Sequence, residues 1–188
     1  MAIETPKYKV LEKDGHIELR KYDGYITANV QVKADSYKSA GSMAFGVLAD
    51  YIFGNNTKNT KIAMTAPVVS QKPATSEKIA MTAPVTTAIL DDQKYVISFT
   101  MPASYTLKDL PKPNNDSVII KSMPAHEVVA IEFSGYTSEG DIEKKSAELR
   151  EWANKKQIKL ANQPSVLRYD PPWKPGFIRR NEVCFNVV

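Results

Sequence analysis

Between Tyr25 and Val32 the chain alternates without a break. Ile26, Ala28, Val30 and Val32 fall on one side of an extended strand, and Tyr25, Thr27, Asn29 and Gln31 on the other. At Ser36 the period changes. From Ser36 to Phe53, Tyr37, Ala40, Ala44, Val47, Leu48 and Tyr51 recur at three-and-four spacing and predict an amphipathic helix. Asp35 or Ser36 caps it, and it stops near Gly54-Asn55-Asn56. This helix is apolar on more than one side. Met43, Phe45, Ala49 and Ile52 add a second strip, while only Lys38, Ser39, Ser42 and Asp50 supply polar side chains. A wet Phe or Leu forgoes about 1.5–3 kcal/mol of burial. The second strip is therefore expected to be covered by another part of the chain or to line a pocket for something flat and apolar.

Further strand signals lie at Lys7 to Leu11, His16 to Tyr22, Tyr95 to Pro102, Ser117 to Met123 and Glu127 to Phe133, with a final pair at Ser165 to Tyr169 and Asn181 to Val188. Asp14-Gly15 and Asp23-Gly24 both carry hairpin chemistry. A second helix, capped by Ser138 and running to about Lys156, has the narrow stripe Ile142, Leu149, Trp152 and Ala153. Its polar face sets Asp141 against Lys145 and Glu151 against Lys155. The octapeptide KIAMTAPV occurs twice, at Lys61 to Val68 and Lys78 to Val85. Each copy closes on Pro-Val, which predicts two edge strands, with Met64 and Met81 as core filler or ligand wall. The two halves share an order of strand, tight turn, strand, helix and strand. They read as a divergent repeat of a β-β-α-β unit in one α+β domain spanning residues 1–188, its antiparallel sheets curling toward a barrel. The loop DPPWKPGFIRR (170–180) is stiff and aromatic, and Trp173 and Phe177 suit it to wall a cleft beside the first helix or to close over it.

Composition narrows the function. At 188 residues and 43% hydrophobic content the chain can bury a core without staples. The single cysteine, Cys184, permits no internal disulfide. The first residues have no signal-peptide character, and no apolar run reaches the roughly 20 residues of a membrane span. These features predict a cytoplasmic protein with no membrane partner, a monomer by default. The net charge of +4 is scattered rather than striped, so no nucleic-acid partner is expected. A few cations at a pocket mouth would suit a ligand bearing carboxylates. Neither a Ser-His-Asp order, nor clustered metal ligands, nor a glycine-rich phosphate loop marks an enzyme.

The segments IELRKYDGY, both copies of KIAMTAPV, VISFTMPASYTLKDLPKPN and the closing LRYDPPWKPGFIRRNEV resemble the SOUL family of haem-binding proteins in order over nearly the whole chain. The resemblance implies a pseudo-twofold, distorted antiparallel barrel of about eight strands with two flanking helices. It also implies non-enzymatic, reversible binding of haem or another tetrapyrrole, with no other cofactor, in a shallow hydrophobic cleft. By position that cleft takes Phe45, Leu48, Ala49, Ile52 and Met43 from the first helix, and Trp173 and Phe177 from the loop. The propionates would meet Lys58, Lys61, Lys174, Arg179 or Arg180, one of the last two pointing away as a strand begins. For the iron, His16 and His126 both lie at predicted turns, and Met43 or Met64 are the other axial candidates. Cys184 lacks the following proline of the Cys-Pro haem-regulatory motif and reads as an inert buried thiol. The alternatives are an effector-binding module for small amphipathic or cationic molecules, with Glu132 as its buried carboxylate, and an enzyme acting on a tetrapyrrole.

Overall fold

Two nine-residue strands, β3 (Tyr25–Lys33) and β9 (His126–Ser134), carry the same order of half-buried, buried and exposed positions. Each runs into a 17-residue helix, α1 (Tyr37–Phe53) and α2 (Glu139–Lys155). The computed structural model describes residues 4–58, 76–90, 93–171 and 173–188. Each helix is followed by two strands, β5 (Val85–Ile89) and β6 (Lys94–Thr100) after α1, β10 (Ser165–Arg168) and β11 (Arg180–Asn186) after α2. Each is preceded by one more, β2 (Ile17–Tyr22) and β8 (Ile119–Met123). With an extra edge strand β1 (Tyr8–Asp14) they form a nine-stranded antiparallel sheet in the order β1-β2-β9-β11-β10-β5-β6-β3-β8. Reading outward from the central β10–β5 pair, the two sides mirror one another. The repeat expected from the pattern is therefore present, with one more strand closing each unit.

The sides are tied by exchange. β2 pairs with β9 and β8 pairs with β3, so the first strand of each unit lies on the second strand of the other. The register continues through both linkers, Tyr22 opposite His126 and Tyr25 opposite Met123. Residues 17–29 and 119–131 thus form one bent ribbon that curls the sheet into a half-barrel. Asp23-Gly24 is accordingly a bend in this ribbon and not the hairpin turn its composition predicts. A Cβ on Gly24 would stand 3.3 Å from the Met123 carbonyl oxygen, so this glycine lets the two linkers pack on each other. Asp14-Gly15 does make a hairpin, between β1 and β2, and Gly15 takes the left-handed φ of 56° that such turns require.

The core fills the space between the sheet and the two helices. In α2 the buried residues are Ile142, Leu149, Trp152 and Ala153, the stripe read from sequence. Ser138 caps α2 reciprocally with Asp141, which leaves Lys145 to pair with Glu148 at 2.6 Å instead. α1 has Ser36 as its cap, no acidic residue in its first turn and no basic one in its last. Its stability comes from packing Tyr37, Ala40, Ala44, Leu48, Tyr51 and Ile52 against β3, β6 and β5. The second octapeptide runs extended beside the C-terminal end of α1 but is not an edge strand. Ile79 donates its N–H to the Ile52 carbonyl at 2.8 Å and Ala83 to the Glu4 carbonyl at 2.9 Å, and only Val85 enters β5. The first copy, with Lys61 and Met64, lies outside the described residues. Two short pieces complete the fold, β4 (Asn56–Thr57) paired with β7 (Lys112–Pro113). Among the described residues no helix is long and apolar enough to cross a membrane.

On the sheet face away from the helices, Glu182 of β11 is fully buried and ionised. Arg20 of β2 donates to both its oxygens, at 2.7 and 3.0 Å, Arg180 at 2.7 Å and the Tyr169 hydroxyl at 2.9 Å. Burial alone would raise this carboxyl, but the two guanidiniums more than reverse it and hold it below its ordinary value of 4.5. The stabilisation is complete above that value and is lost as pH falls through the lower, folded-state value. Glu182→Gln takes a carboxylate partner from the buried Arg20 and from the half-buried Arg180, leaving them Glu18 and Glu132, and is expected to cost about 3 kcal/mol at pH 7. Urea unfolding of both proteins at pH 7 and pH 3 checks this: the gap between them should narrow at the lower pH, and an equal gap would show that the charge is not what matters.

Candidate functional site

One flank of α1 faces the middle of the sheet. At 100° per residue Gly41, Phe45, Ala49 and Ile52 fall within about 80° of one another, whereas Met43 lies about 160° from Phe45 on the opposite flank. Met43 and Phe45 therefore do not share the second strip. Ile52, like Leu48, is buried in the core, 1% and 0% exposed. What remains open is Ala49, half-buried, and Phe45, which meets Phe99 of β6 edge-on at 5.3 Å.

Arg168, the last residue of β10, reaches this flank. One of its terminal nitrogens stands 3.0 Å from where a Cβ on Gly41 would be, and its guanidinium carbon lies 5.4 Å from the centre of the Tyr37 ring. A side chain at position 41 would crowd this seat. Burial raises the Tyr37 phenol above its ordinary pKa, and the Arg168 charge opposes the rise.

The loop that follows Arg168 is a stiff frame. Asp170 takes Lys174 at 2.6 Å on one oxygen and the Arg180 N–H at 2.6 Å on the other. A short 3₁₀ turn, Gly176–Ile178, closes it. Tyr136, at the β9–α2 junction, lies so close that a Cβ on Gly176 would meet its ring at 2.4 Å. From this frame Trp173 and Phe177 project into water, 84% and 79% exposed. They do not cover the helix, which answers one of the two expectations for this loop.

The expected cations divide by place. Lys58 pairs with Glu77 at 3.4 Å near the C-terminal end of α1, and Lys174 pairs with Asp170. Arg179 donates to the Lys174 carbonyl at 2.7 Å and lies over Tyr136 at 5.0 Å. Arg180 points to the other sheet face, to Glu182 and to Glu132 at 3.0 Å, stacked 4.2 Å from the Tyr169 ring. Glu132 is thus an exposed, paired carboxylate, and the buried one is Glu182 opposite it in register. His126 stacks on Tyr22 at 5.7 Å on β9, and His16 sits at the β1–β2 turn, so neither belongs to α1. Cys184 is buried, and lost solvation with the nearby Glu182 charge pushes its thiol up to about 12. A separate cavity of about 340 Å³ lies between residues 4–7, the start of β3 and the chain after β6, lined in part by Tyr25, Met101 and Tyr105. It includes none of the expected site residues.

The chain is thus a duplicated α+β half-barrel. The family model described as SOUL heme-binding protein matches residues 3–77 and 69–186, and the chain belongs to that family. It is 30% identical to Heme-binding protein 1 of Xenopus tropicalis over 176 residues, 93% of this chain and 85% of the relative. Among solved structures, the C-terminal domain of EcmrR superposes with a TM-score of 0.66 at 14% identity, covering 96% of this chain and 98% of the other. A hydrolase from Listeria innocua superposes with a TM-score of 0.57 at 11% identity, covering 95% and 94%. At these identities both show the fold alone.

The division of α1 and loop residues between core and surface is measurable. Leu48→Ala should cost about 2–5 kcal/mol of unfolding free energy, whereas Trp173→Ala should stay within about 0.5 kcal/mol of the parent. Chemical denaturation of the two variants checks this, and a large loss in Trp173→Ala would show that the indole is packed.

Proposed function

We propose that the chain binds haem or a related tetrapyrrole reversibly, without transforming it, on the surface between the open flank of α1 and the loop carrying Trp173 and Phe177. The observation that carries the reading is the exposure of those two aromatics on a loop braced by Asp170, Lys174 and the 3₁₀ turn. Two flat apolar side chains held ready by a rigid frame suit a flat apolar ligand, since little is lost in ordering them. Membership of the SOUL family and the name of the Xenopus tropicalis relative support haem as that ligand. The cationic-effector alternative needs a lone buried carboxylate. Glu182 is the buried acid among the described residues, and its four acceptor positions are taken.

With no histidine on α1, affinity should come from the ring and its carboxylates. Ferric haem and metal-free protoporphyrin should both saturate the protein with similar strength, followed by the Soret band and by tryptophan quenching against a Trp173→Phe control. Trp173→Ala should weaken both about tenfold or more, the equivalent of losing about 1.5 kcal/mol of apolar contact. Binding of haem alone would point to an axial ligand, to be sought at Met43, His16 and His126. If neither porphyrin binds, the reading falls.

A further inference from the structure

We propose that Arg168 receives a carboxylate of the bound ligand, so that a tetrapyrrole lies with a propionate turned inward toward the sheet. This rests on the tetrapyrrole-binding reading above and deepens it. Arg168 is half-buried, and among the described residues no carboxylate lies within ion-pair distance of it. The sheet's other arginines differ: Arg20 holds Glu18 and Glu182, and Arg180 holds Glu132 and Glu182. A half-buried guanidinium with no counter-charge keeps its paired N–H donors for a ligand carboxylate, which would complete the site.

The seat is specific. Gly41 admits the guanidinium against the backbone of α1, and the Tyr37 ring lies beside it. A planar fork held this way can present paired N–H groups to a carboxylate, which an ammonium on a flexible stem cannot do. Position supports the same assignment. Arg168 stands at the root of the loop that carries Trp173 and Phe177, while Lys174, the cation nearest them in sequence, is engaged by Asp170.

The test compares ferric haem with its dimethyl ester, in which both propionates are esterified, on the full chain and on Arg168→Gln. The parent should bind haem at least tenfold tighter than the ester, and Arg168→Gln should bring haem down to the ester's level while leaving the ester unchanged. Helical circular dichroism and the denaturation midpoint of Arg168→Gln confirm its fold. Equal binding of haem and ester by the parent would overturn the proposal even if the variant did not fold. So would unchanged haem binding in a folded Arg168→Gln. A parent that binds neither compound refutes the tetrapyrrole reading itself, which is a different result.

Discussion

Glu182 is the carboxylate around which the two halves are joined. It sits at the exchange, on β11 of the second unit, and its bidentate partner Arg20 arrives on β2 of the first. A buried ion pair adds little net stability against an apolar pair of the same shape. What it adds here is choice of partner. Arg20 reaches Glu182 only when β2 lies on β9 in the observed register, and a slip of one residue would turn it to the helix side of the sheet. Tyr169 and Arg180 fill the remaining acceptor positions, so the loop before β11 is anchored at both ends to the same carboxylate.

The proposed site would lie on one side only of a symmetric fold. By the pseudo-twofold, the β10–β11 connection corresponds to the β5–β6 connection. The second is residues 90–93 and the first is residues 169–179. The longer connection carries the aromatics, leaves the sheet at Arg168 beside Gly41 of α1, and packs Gly176 against Tyr136 at the β9–α2 junction. The helices differ to match. α2 is stabilised by its capping box, its acidic first turn and its final lysine, so its outer face can be polar. α1 has a cap but no end charges and depends on the packing of its buried face.

The alternation at residues 25–32 and 127–133, the two serine caps and the α2 stripe were legible in sequence because each is set by local geometry. The exchange was not. Asp-Gly has the same turn chemistry at 14–15 and 23–24, and only the partner strand decides that one is a hairpin and the other a bend. The second octapeptide reads as a strand but spends two of its backbone N–H groups on Ile52 and Glu4, outside any ladder. Glu132 and Glu182 both lie on alternating strands, opposite each other, and alternation cannot tell the buried one from the exposed one. Met43 was separable from Phe45 by helical angle alone. Arg168 gave no local signal, because its significance depends on a glycine 127 positions earlier in the chain.

Taken together, these placements change what kind of site α1 can offer. With Leu48 and Ile52 in the core, the helix would give the proposed site an edge and not a wall, and Trp173 and Phe177 are the most exposed large apolar side chains among the described residues. A flat ligand there would bury one face and leave much of the other in water, which limits the apolar contribution to affinity. Orientation then has to come from directional groups. A guanidinium seated at the root of the loop, against a glycine on the helix, would supply direction to the ligand proposed above. Shape alone would let a porphyrin rotate in its own plane, and a fixed cation removes that freedom.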